Sequence, residues 1–126
     1  MTVAPTGELS NRPKRLSSVV CLTHRQFGIT DLDNSQIIVA QPQRYNEAGF
    51  NGGVGYCAWH DYTQPQYYPG VQPGISFTNM PYVLNMGASC GQNSVNTGYY
   101  AGRLDGFTIV IGHEIEETIT DPAPRT

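Results

Sequence analysis

One stretch of this chain commits to a conformation more firmly than any other. From Leu104-Asp105-Gly106 the sequence runs through Phe107, Ile109, Val110, Ile111, Ile115 and Ile119 to Asp121-Pro122. The helical spacing of Ile111, Ile115 and Ile119 predicts a helix that starts with Asp105 as N-cap, reaches about Ile119 and is stopped by Pro122. A buried strand turning at Gly112 is the alternative, because Phe107 to Ile111 is rich in β-branched residues. The remainder must pack around this rod. Gln64 to Gly74 is dense in Pro, Gln and Tyr and can form neither regular helix nor central strand, so it reads as a surface loop presenting Tyr62, Tyr67 and Tyr68. Asn46 to Gly55 holds four glycines and reads as a turn or flexible loop. Strand candidates are Leu16–Thr23, Ser35–Ala40, Tyr56–Tyr62 and Ile75–Leu84, the last interrupted by Pro81 and therefore expected at a sheet edge. Gly87 to Gly102 reads as a loop or a short irregular helix.

The same rod carries His113-Glu114-x-x-Glu117. At about 100° per residue His113 and Glu117 are offset by only about 40° and stand one turn apart on one face, where both can hold one cation. Glu114 then sits beside the metal, in the place where His-Glu-x-x-His zinc peptidases keep the general base. The competing reading is an amphipathic helix with Ile109, Val110, Ile115 and Ile119 packed inward and a solvated acidic face. Asp121 is the candidate third ligand, about 80° round from His113 on a continued helix and able to turn back at the break before Pro122. It can equally cap the helix end, and His60 or a residue beyond Thr126 are the other sources of a third ligand.

The stretch from Ile29 to Pro122 resembles a family of secreted bacterial proteins assigned to the metallopeptidases and, more distantly, the plant phosphate-induced (EXORDIUM-like) extracellular proteins. The resemblance is carried by Tyr56-Cys57-Ala58-Trp59-His60, Thr78-Asn79-Met80-Pro81-Tyr82, Cys90-Gly91, Leu104-Asp105-Gly106-Phe107-Thr108-Ile109-Val110 and His113-Glu114-x-x-Glu117-x-x-Thr120-Asp121-Pro122. It implies an α+β, zincin-like domain, a small twisted mixed sheet backed by an active-site helix, with the segments around Val19, Ile38, Ala58 and Phe77 supplying strands. It implies an extracellular zinc endopeptidase with Glu114 catalytic, His113, Glu117 and Asp121 on the metal, His60 and Tyr82 at the substrate, and a Cys57–Cys90 disulfide. Calcium or manganese are the harder alternatives to zinc, since carboxylate donors suit them. Through the plant relatives the resemblance also implies a second class, a non-catalytic extracellular protein whose Tyr-rich loop recognises cell-wall glycan or protein. Family members continue past Thr-Asp-Pro with a Trp-Tyr-containing segment and an acidic, cysteine-containing stretch. This chain is therefore expected to be incomplete at its C-terminus and to hold zinc weakly alone.

With 126 residues there is room for one small domain, read as residues 16–126 behind a polar tail, residues 1–15. Only 13% of residues are charged, below the usual value of about 25%, and the balance is that of a loop-rich extracellular domain. A net charge of −3 with no basic patch beyond Arg12-Pro13-Lys14-Arg15 argues against a nucleic-acid partner. No apolar run reaches the ~18 residues of a membrane span, and the N-terminus shows no leader pattern. Export thus rests on resemblance and composition, and a peptide or protein substrate on the resemblance. Three cysteines, Cys21, Cys57 and Cys90, suggest one bridge and one leftover thiol, or else three buried thiols.

Overall fold

The computed structural model of the chain describes residues 13–43 and 55–124; the expected tail, residues 1–12, and most of the glycine-rich loop lie outside the described residues. Two α-helices, three strands and one 3₁₀ segment follow in the order α1 (Pro13–Phe27), β1 (Gln36–Ala40), β2 (Trp59–Tyr62), β3 (Ser76–Met80), the 3₁₀ segment (Val83–Cys90) and α2 (Asp105–Thr120). The architecture is α+β around a small mixed sheet in the order β1-β3-β2. β1 runs parallel to β3, pairing Ile37 with Phe77, and β2 runs antiparallel to it, pairing His60 with Thr78.

The first expected strand is a helix. Val19 and Val20 favour extended structure locally, but the flanking chemistry is helical. Pro13 opens α1 in the first turn, where its missing N–H costs nothing, and His24 and Arg25 complement the C-terminal end of the dipole. Gly28 then takes φ +58°, its N–H bonding the Arg25 carbonyl while the Ile29 N–H reaches the His24 carbonyl. That paired closure is a Schellman cap, and it needs a residue that tolerates a positive φ. The helix also opens inside the stretch read as tail. Val19 accordingly contributes no strand, and among the described residues the sheet has three strands rather than four.

β1 and β2 fall within the expected strand segments Ser35–Ala40 and Tyr56–Tyr62. β3 does not take the expected edge. Pro81 lies just beyond the strand, so it deletes no ladder hydrogen bond, and β3 sits at the centre with every residue buried. In the loop between β2 and β3 Tyr67 is exposed, but Tyr68 is buried and its hydroxyl donates to Asp61. The ring is wanted in the core, where it meets Phe77 edge-on at 5.5 Å, as Trp59 does at 5.7 Å.

Successive side chains of β2 point to opposite faces of the sheet. Trp59 joins Val20, Ile37, Tyr56, Tyr68, Ile75 and Phe77 in one core, on the side that α1 covers. On the other side Ala58, Met80, Val83, Cys90 and Val110 form a second core beneath α2. A Cys57–Cys90 disulfide ties the approach to β2 to the end of the 3₁₀ segment, and Cys21 is a free, half-buried thiol. Gly106 lets α2 lie against that bridge, since a Cβ there would stand 2.3 Å from the Cys90 carbonyl oxygen. Asp105 is the first residue of α2 rather than its cap. Its carboxylate accepts from the backbone N–H groups of Val95 and Asn96 and from Asn96 Nδ2, so it orders the preceding loop in place of its own helix end.

Candidate metal centre

α2 buries the side that hydropathy alone would expose. Ile119 is 73% exposed and Ile109 40%, whereas Glu114 is 2% exposed. The inward stripe is Val110, Glu114 and Glu117, at i, i+4 and i+7, and it changes from apolar to acidic along the helix. The amphipathic alternative holds for Val110, which is buried, and for the exposed Glu116, but not for Ile109 and Ile119, which are exposed, or for Glu114, which is buried. Burying an unpartnered carboxylate costs several kcal/mol, a cost that a cationic partner offsets.

β2 supplies it. His60 is buried on the α2 side of the sheet, with Nδ1 3.2 Å from Glu114 Oε2 and 3.3 Å from Glu117 Oε2. Its Nε2 lies 2.9 Å from the Asp121 backbone carbonyl. A carbonyl only accepts, so Nε2 carries a proton. A neutral His60 would then aim the Nδ1 lone pair at two carboxylates. Such a contact is repulsive unless a cation intervenes, either a second ring proton or a metal ion. Burial pushes the imidazole toward neutrality, but the hydrogen bonds to Glu114 and the Asp121 carbonyl and the charges of Glu114 and Glu117 outweigh it and raise the His60 pKa above the ordinary 6.5.

His113 stands at the rim, with Nε2 2.7 Å from Glu117 Oε1. Nε2 is closed to solvent, yet it makes no hydrogen bond. Glu117 thus turns one carboxylate oxygen to each imidazole. One donor atom each from His60, Glu114 and Glu117 lie within 4.8 Å of one another. An imidazole, two carboxylates and an adjacent imidazole without a hydrogen bond form a donor set suited to a divalent transition metal.

A polar seam holds helix and sheet in register. Gln36 Nε2 on β1 donates to Thr78 Oγ1 on β3 and, at 2.7 Å, to Thr118 Oγ1 on α2, and the Thr118 hydroxyl donates at 2.7 Å to the Glu114 carbonyl. Sequence reasoning does not reach Gln36, Thr78 or Thr118 as supports of the site. Thr118, four residues after Glu114 on the same stripe, was the available signal.

His113, Glu114 and Glu117 are brought together by α2, and His60 joins them from β2. Asp121 meets His60 through its carbonyl, with its side chain exposed. Tyr82 is half-buried at the start of the 3₁₀ segment, and among the described residues no hydrogen bond links it to the cluster. No helix among the described residues is long and apolar enough to cross a membrane. Comparison of the chain with protein-family models, with curated proteins and with solved structures gave no match.

Proposed function

We propose that the chain is a metal-dependent hydrolase of peptide bonds, zincin-like in arrangement and extracellular, with zinc as the first cation and calcium or manganese as harder alternatives. The observation that carries the reading is the convergence of His60, Glu114 and Glu117, with His113 Nε2 set against the Glu117 carboxylate at its rim. Two imidazoles favour zinc over an oxygen-only cage. His60, His113 and Glu117 would hold the ion, His60 taking the place expected of Asp121. Such a donor set carries one negative charge in place of the two that Glu117 and Asp121 would bring. When bound, zinc supplies Lewis acidity for the scissile carbonyl and for its water. Glu114 is left as the carboxylate that takes the proton from water and returns it to the departing amine. Glu114 is 2% exposed and lies one turn after Val110 of the apolar core, so bulk water around it is limited. The Cys57–Cys90 bridge accords with an oxidising compartment and supports export.

The testing variant is Glu114→Gln. It is expected to fold, to retain zinc and to lose peptidase activity by at least about 100-fold, the range of a removed general base. Loss of zinc in Glu114→Gln would make Glu114 a ligand and defeat the assigned role.

A further inference from the structure

The end of α2 does more than stop the helix. A proline disfavours the helical conformation of the residue before it, and Asp121, ahead of Pro122, stands at φ −143°, ψ 74°. Its N–H still closes the last helical bond, onto the Glu117 carbonyl at 2.6 Å. Its own carbonyl has left the helix ladder and accepts the His60 Nε2 proton at 2.9 Å. The Asp121 side chain is exposed.

We propose that Asp121-Pro122 is a positioning device for His60, in which the bend imposed by Pro122 delivers a backbone carbonyl that fixes the proton on Nε2 and commits Nδ1 to the cation. The inference rests on the cation reading above. Imidazole ligands are regularly oriented in this way, the distal N–H held by a carbonyl or carboxylate so that ring plane and tautomer are set before the metal arrives. Here the holding group is the C-cap residue of the helix that carries Glu114 and Glu117. The bend therefore sets the strand ligand and the helix donors against one another. Asp121 acts through its backbone, and its carboxylate is dispensable.

Two measurements on the zinc-loaded protein test this. Long-range ¹H–¹⁵N spectra of the three histidines should show His60 with a zinc-shifted Nδ1 and a protonated Nε2. Chelator competition should show Pro122→Ala weakening zinc binding roughly tenfold or more, within the range for a lost orienting partner, while Asp121→Ala stays within about twofold of the wild type. Zinc on Nε2 of His60, or equal losses in Asp121→Ala and Pro122→Ala, would overturn the inference and leave the hydrolase reading standing. The spectra of the wild type decide the matter even if Pro122→Ala fails to fold. Absence of zinc binding by the wild type would defeat the reading and this inference together.

Discussion

The two faces of the β1-β3-β2 sheet are built from the same short strands and held by different forces. On the α1 side Val20, Ile37, Trp59, Tyr68 and Phe77 close a core of interlocking rings. On the α2 side the apolar patch around Met80 and Val110 gives way to His60, Glu114 and Glu117, a disulfide and a polar seam. Area burial and ring contacts account for the first face. The second spends desolvation energy to keep ionisable groups inside, and that cost is met only when a cation sits among them. The difference places apolar packing on one face and a buried ionisable cluster on the other.

The largest effect should come from the apolar face. Phe77→Ala is expected to cost about 3–5 kcal/mol in denaturant unfolding, since it removes the ring that both Trp59 and Tyr68 meet. A loss below about 1 kcal/mol would mean that this core is not where stability resides. Replacing Cys57 and Cys90 by Ser should cost about 3–4 kcal/mol by loop closure over their 33-residue separation. It should also loosen zinc binding, because the bridge anchors the approach to β2 beside the start of α2.

A smaller effect concerns pH in the metal-free protein. The folded His60 pKa is raised above 6.5, so its contribution is fully present below the unfolded value and is lost as pH rises through the folded one. Metal-free stability should fall across that window, and His60→Gln should abolish the fall. A wild-type profile that rises there would show that the imidazolium does not stabilise the cluster. Smaller still is Asp105→Asn, expected to lower hydrogen-exchange protection at Val95 and Asn96 while leaving zinc affinity alone. Unchanged protection would remove the ordering role given to its carboxylate.

Much of the apolar frame is legible in the sequence, because periodicity reports burial. β1 follows from a short β-rich run bounded by turn residues, β2 from alternation, and α2 from helical spacing and the stop at Pro122. α1 is legible only through its ends: Pro13, His24-Arg25 and Gly28 outweigh the extended preference of Val19 and Val20. The helix-borne half of the site is equally plain, since His113, Glu114 and Glu117 are local. What the sequence does not give is which face of α2 turns inward. Counting isoleucines puts Ile119 inside, whereas the pairing of Glu114 with a histidine 54 residues away puts the carboxylates there. That pairing depends on strand order and on the polar seam, neither of which leaves a local pattern.

The central claim is that the polar face holds a metal ion and is more than a structural ion pair between His60 and two glutamates. Zinc titration of the metal-free protein by calorimetry, in buffers of different protonation enthalpy near pH 6.5, tests it most directly. The account predicts one zinc per chain, release of a proton as the ion displaces it from His60 Nδ1, and loss of binding in Glu117→Gln with the fold retained. A folded wild-type chain that takes up no zinc, or zinc uptake that Glu117→Gln leaves unchanged, would contradict it.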